Sequence, residues 1–199
     1  MTEQPRPHHR PTRPGSAFFE ARNGGPDPAE LTAAADRAAN LLVRGAAATD
    51  DSTLADRVVR LADTEGLETL AELWSGAGAD TLSGCLWRLY ALRSWVYADP
   101  VGAARQFDAG RLRAPLARVV AGVSEPPGPD ELRRMIDEVL RGIAEREFAD
   151  VLLRAAAFAR VVAVGRAALD GAEDETERVL ALSEQLEHAG HLELAGTLA

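Results

Sequence analysis

Apolar residues recur every three or four positions along most of this chain, the spacing that places them on one face of an α-helix. The densest such stretch is residues 82–97, in which aromatic and leucine side chains fill nearly the whole circumference. Its main stripe comprises Leu82, Cys85, Leu89, Leu92 and Val96. A helix that is hydrophobic almost all round is normally surrounded by others. The pattern therefore predicts that residues 82–97 form the central helix of an all-α domain.

Prolines, capping residues and glycines divide the rest of the chain into further helices. Asp27-Pro28 and Asp99-Pro100 each join an N-cap to a proline suited to the first helical turn, so both predict helix starts. Glycines mark the predicted helix ends, among them Gly66, Gly110 and Gly190. No segment shows the sustained alternation typical of strands. We therefore expect a multi-helix, orthogonal or bundle-like fold, with residues 27–199 as a single all-α domain.

The longest regular pattern covers residues 148–169 and keeps a 3-4 spacing over about three heptads. Its members are Phe148, Val151, Ala155, Phe158, Val162, Gly165 and Leu169. Small residues at two of these positions would let a partner helix approach closely. Packing against the predicted central helix is the expected use. Other helices are predicted over residues 51–66, 67–74, 100–110, 112–120, 130–143 and 173–190.

Residues 1–26 form a Pro- and Arg-rich segment without helical period, which predicts a disordered N-terminal arm. Phe18 and Phe19 are the exception, since they make a small apolar cluster flanked by Glu20 and Arg22. We interpret these four residues as a linear motif that becomes ordered on a partner protein. The alternative is that the two phenylalanines dock on the folded body of the same chain.

Charge and composition exclude several classes of function. The chain has 199 residues and a net charge of −9, and its cationic side chains are all arginine. Chemistry that requires a lysine, such as a Schiff base or a Walker-type phosphate site, is therefore excluded. The arm carries a net +2, so the remainder is −11, which makes binding to nucleic acid unlikely. No secretory signal or membrane-spanning stretch is visible, and a cytoplasmic location is expected.

The sequence offers no catalytic, cofactor or metal constellation. Cys85 is the single cysteine and is expected to be an inert core residue. His188 and His191 straddle Gly190, so they are not expected to share a helical face. Carboxylates such as Asp137 are expected on solvated helix faces. We predict no metal, no cofactor and no enzymatic activity.

Arg88 and Arg93 lie within the most apolar helix and have two interpretations. Either they bind a phosphate or carboxylate in a small-molecule pocket, or they pair with acids of neighbouring helices or extend their charged ends to the edge of the apolar region. Trp87 and Trp95 are expected to be core residues. Replacement of a buried one by alanine should then lower the free energy of unfolding by roughly 3–5 kcal/mol, and at least one of the two variants should approach this range.

Two stretches, residues 87–100 and residues 125–131, resemble a helical family of high-GC actinobacteria that includes the ParJ-like regulators of the ParA-type segregation ATPase. The resemblance covers about residues 28–190 and implies no functional residues. It implies a non-enzymatic regulator or adaptor that acts on another protein, here a ParA-type ATPase in chromosome segregation or cell division. The alternatives are a nucleic-acid-associated factor that uses the basic arm, and a small-molecule binder with a pocket near Arg88 and Arg93.

Overall fold

The structure, a computed structural model, describes residues 28–45, 74–114, 121, 128–145, 147–169 and 171–199. Within these ranges 82% of the residues are helical and there is no strand. The all-α prediction is confirmed. The arm of residues 1–26, the helix predicted over residues 51–66 and all but the last residue of the helix predicted over residues 67–74 lie outside the described residues.

Six α-helices are described. They are α1 (Pro28–Asn40, continued by one turn of π-helix, Leu41–Gly45), α2 (Leu82–Ala98), α3 (Pro100–Arg111), α4 (Pro129–Glu145), α5 (Phe148–Ala168) and α6 (Glu173–Leu194). The Asp99-Pro100 start is confirmed, because the Asp99 carboxylate accepts a hydrogen bond from the Gly102 amide at 2.8 Å. Thr81 caps α2 in the same way, with its hydroxyl accepting from the Gly84 amide at 3.1 Å.

Among the described helices α5 makes the most extensive helix contacts, more than α2, the helix that was predicted to be central. Thirteen of the 21 residues of α5 are buried, and it packs most extensively against α6 and α3. In α2 the burial is uneven, since Trp87, Tyr90 and Trp95 are only half-buried. The alanines of α5 let the backbones of neighbouring helices approach it from several sides. The large aromatic rings of α2 keep its neighbours at a greater distance, and the rings themselves are not fully covered.

The partner that approaches the small residues of α5 is α3 and not α2. A Cβ atom on Gly165 would overlap the backbone carbonyl oxygen of Gln106, and one on Gly110 would overlap that of Val161. The backbones of the two helices are therefore in direct contact, with Phe107 stacked on Phe158 beside the crossing at 5.6 Å between ring centroids. Gly110 is the second-last residue of α3, which ends at Arg111, so the predicted helix end agrees within one residue. Its role is close packing.

Gly190, by contrast, does not end its helix as predicted. Helix α6 continues through this residue to Leu194, and Gly190 is buried against Leu152 and Leu153 of α5. Ser183 strengthens the same interface by donating from its hydroxyl to the Ala156 carbonyl at 3.0 Å. A glycine thus serves helix packing at a point where the sequence pattern indicated a helix end.

The residues that follow α6 return to the start of α2. Gly196 has a positive φ of 68°, a left-handed conformation that glycine adopts without strain and that reverses the chain here. Leu198 is buried, and the Ala199 carbonyl accepts from the Leu82 amide at 2.7 Å. The Ala199 amide donates to the Asp80 carbonyl at 3.2 Å. This connection holds α2 and α6 side by side.

Candidate functional site

Arg88 and Arg93, the two candidate anion-binding residues, are not brought together. They are five residues apart on α2, which turns their side chains about 140° away from each other. Arg88 reaches α6 and Arg93 reaches α4. The two arginines therefore belong to different interfaces of the fold.

Arg93 pairs with an acid of the neighbouring helix. Its Nε atom donates to Oδ1 of Asp137 at 3.1 Å, and the Tyr97 hydroxyl donates to Oδ2 of the same carboxylate at 2.6 Å. The guanidinium also lies 4.1 Å from the centre of the Tyr97 ring. Asp137 is largely buried by these contacts, so its expected place on a solvated face is wrong. The arrangement explains Arg93 as a structural link between α2 and α4.

Arg88 has a different environment, although it lies on the same helix. The residue is 9% exposed, and its Nε atom donates to Oε1 of Gln185 at 2.7 Å. Its Nη1 atom donates to the Gly84 carbonyl at 2.8 Å, and its guanidinium lies 5.6 Å from the centre of the Trp87 ring. Burial lowers the pKa of Arg88, because the low-dielectric surroundings disfavour the charged form. Both hydrogen-bond acceptors are neutral.

The turn that precedes α2 closes one side of the Arg88 environment. The Gly78 carbonyl oxygen lies directly over Gly84, where it leaves no room for a Cβ atom. Ser83 is buried beside them and donates to Oδ1 of Asp36 on α1 at 2.5 Å. The side of α2 that carries Ser83, Gly84 and Arg88 is therefore buried in its first two turns.

A second ion pair lies near this end of α2. The guanidinium of Arg44 binds the Glu193 carboxylate through two hydrogen bonds, of which Nη2 to Oε2 is 2.7 Å. This bidentate contact raises the pKa of Arg44. It ties the π-helical turn after α1 to the end of α6.

Cys85 is fully buried between these elements, and burial raises the pKa of its thiol to about 12. Its Sγ atom lies 3.6 Å from the Ala79 carbonyl, to which the thiol donates. The thiolate is the reactive form, and it is strongly disfavoured here. This environment is that of a core residue and agrees with the inert role predicted for it.

We expect the Cys85 thiol to resist alkylation by iodoacetamide at pH 8 in the folded protein and to react at the rate of a free thiol in urea. The free energy of unfolding should also fall as the pH rises from about 9 towards 12, because the unfolded chain loses the thiol proton first. Cys85→Ala should remove that part of the pH dependence. Rapid alkylation of the native protein would contradict the buried position.

The histidines near the end of α6 share a helix, contrary to the prediction. Because α6 continues through Gly190, His188 and His191 are three residues apart on one face, and both are exposed. No group of three or more metal-ligating side chains occurs in the part of the chain that the structure describes. No helix within the described ranges has the length and apolar character needed to cross a membrane.

Within the described ranges four large apolar residues are exposed, and sequence patterning did not identify them as surface residues. They are Val101, Leu112, Leu169 and Leu194. Leu112 was expected to begin a helix over residues 112–120, yet it lies in the turn after α3 with 77% of its surface exposed. Leu169, the last member of the 3-4 pattern, is also exposed because it lies just beyond the end of α5.

The predicted partner-binding motif, Phe18, Phe19, Glu20 and Arg22, lies outside the described residues and stays a prediction. No protein-family model, curated protein or solved structure matches this chain.

Proposed function

We propose that this protein is a non-enzymatic regulator or adaptor that acts by binding another protein, and that the outer face of α3 belongs to its binding surface. The observation that supports this is the exposure of Leu112 (77%) and Val101 (58%). The two residues are eleven positions apart, which is close to three full helical turns. Leu112 keeps helical dihedral angles, so both lie along the same side of α3.

Charged residues on this face indicate the chemistry of the partner. Arg105 lies between the two apolar residues, and Arg113 follows Leu112; both are exposed. The Asp108 carboxylate is already paired with Arg111, with Nε to Oδ1 at 2.6 Å. The face therefore combines two large apolar side chains with positive charge, in a chain whose net charge is −9. Such a surface suits an acidic, amphipathic segment of another protein.

The resemblance to ParJ-like regulators makes a ParA-type ATPase of the same organism the first partner to test. We expect the full chain to bind this ATPase in a solution titration. Val101→Glu combined with Leu112→Glu should weaken binding at least about tenfold, because each buried leucine or valine contributes roughly 1.5–3 kcal/mol. The melting temperature should change little, since both side chains are exposed.

Leu194→Glu is the matched control, because Leu194 is also exposed but lies at the end of α6. It should leave binding unchanged.

A separate variant, Phe18→Ala with Phe19→Ala, tests the linear motif of the arm. If the Val101/Leu112 variant binds the ATPase with unchanged affinity, α3 is not part of the binding surface. If only the arm variant loses affinity for the ATPase, residues 18–22 are the binding site.

A further inference from the structure

Arg88 is the most deeply buried arginine among those whose burial the structure describes, and no described acid forms an ion pair with it, although the charge of Asp80 acts on it from a greater distance. Within the described ranges no carboxylate lies within 4 Å of its guanidinium. Arg93 and Arg44, which are more exposed, are bonded to Asp137 and Glu193 respectively. Buried charges are normally paired, because the loss of hydration is otherwise uncompensated. The exception at Arg88 requires a reason.

The two groups that accept hydrogen bonds from Arg88 do not explain why an arginine is buried at this position. The Gly84 carbonyl is positioned within α2 to accept the regular helical hydrogen bond from the amide four residues later, and it therefore does not depend on the guanidinium. The Gln185 side chain is exposed, so water can satisfy its amide oxygen. Both acceptors would keep a partner if the guanidinium were absent. Arg88 is thus costly to bury and is not needed by the groups that it contacts.

We infer that Arg88 is the cation of an oxyanion-binding site at the junction of α2, α6 and the turn of residues 74–81. The two hydrogen bonds of the guanidinium use Nε and Nη1, which leaves Nη2 for an incoming acceptor. A carboxylate or phosphate group matches the planar fork of arginine. The amide nitrogen of Gln185 is a second donor on the same side chain that already contacts Arg88.

The residues around Arg88 indicate how such a group is selected. Because only 9% of Arg88 is exposed, the ligand that reaches it would be a small terminal oxyanion and not an extended polyanion. The Trp87 ring beside the guanidinium offers an apolar face for the carbon skeleton of the ligand. Arg93 takes no part, because Asp137 already neutralises it. This site is independent of the α3 surface proposed for protein binding.

The test is the melting temperature of the full chain in inorganic phosphate, sodium acetate and sodium chloride at matched ionic strength. We expect a saturable rise in phosphate or acetate of roughly 5 °C at concentrations far above the dissociation constant. Arg88→Met should abolish the rise. In chloride this variant should melt at the wild-type temperature or above it, because the cost of burying the charge is gone. A larger rise in phosphate than in acetate identifies the ligand as a phosphate, and a larger rise in acetate identifies it as a carboxylate.

Arg93→Met is the matched control, because it removes the same side chain from the same helix. It should melt at a lower temperature, since Asp137 loses its cation, yet it should keep the rise in phosphate or acetate. If Arg88→Met fails to fold, Arg88→Gln replaces it in the same melting experiment. Binding to the wild type is then also followed by titration of the tryptophan fluorescence, because Trp87 lies beside Arg88. Equal rises in the wild type and both variants, or no saturable response in the wild type, would overturn the inference.

Discussion

Replacing Gly165 by alanine should lower the free energy of unfolding by about 3 kcal/mol or more, one of the largest effects of any single methyl group in this chain. The added Cβ atom would overlap the Gln106 carbonyl oxygen and would lie 2.7 Å from the Gly110 amide nitrogen. Both atoms belong to the backbone of α3, so no side chain can rotate to make room. The two helices would have to separate. Urea unfolding followed by far-ultraviolet circular dichroism measures the effect.

Gly110→Ala should have a similar effect, because its Cβ atom would overlap the Val161 carbonyl from the other side of the crossing. Gly190→Ala is the control. It is also a buried helical glycine, but its new methyl group would meet mainly the Leu153 side chain, at 2.9 Å, which can move. There the gain in helix propensity, about 1 kcal/mol, offsets most of the crowding. Equal effects at positions 165 and 190 would contradict a backbone contact between α3 and α5.

These glycines also show where sequence reasoning reaches its limit. Helical spacing predicted α2, α3, α4, α5 and α6 close to their observed positions, because apolar periodicity is a local property. It could not separate a glycine that ends a helix from one that lies under a neighbouring backbone. Both have the same side chain, and only the position of the second helix distinguishes them. Gly190 was therefore given the wrong role, and the close packing at Gly110 was not predicted.

The same limit applies to the choice of the central helix. Residues 82–97 have the larger apolar side chains, so they were expected to be the most covered. Coverage depends on how closely other helices approach, and the alanines of α5 allow a closer approach than the tryptophans of α2. The small residues in the 3-4 pattern carried this signal, since they predicted a close helix contact at Gly165. The identity of the partner helix required the tertiary structure.

For the candidate site, the sequence identified both arginines but could not distinguish them. Their difference comes from residues far away in the chain, namely Asp137 on α4 for Arg93 and Gln185 on α6 for Arg88. An i,i+4 or i,i+3 pattern reveals partners only on the same helix. Interhelical pairs depend on the packing arrangement, and so does the difference between a structural arginine and a candidate binding residue.

Trp74→Ala should lower the free energy of unfolding by about 3–5 kcal/mol, because Trp74 is among the largest fully buried side chains, with 1% of its surface exposed. This residue, and not Trp87 or Trp95, is the tryptophan that the described core encloses. The latter two are half-buried against the core, so their alanine variants should cost roughly 1–2 kcal/mol each. Chemical unfolding of the three single variants gives the comparison.

Tryptophan fluorescence supplies an independent measurement of the same difference. In the folded protein the emission of Trp74 should lie at shorter wavelength than that of Trp87 and Trp95, because water is excluded from its ring. Trp74→Phe, which keeps an aromatic ring in the cavity, should recover most of the stability that Trp74→Ala loses. A loss at Trp87 or Trp95 as large as the loss at Trp74 would show that the aromatic side of α2 is as well covered as the core. It would then support the original expectation that α2 is the helix around which the others assemble.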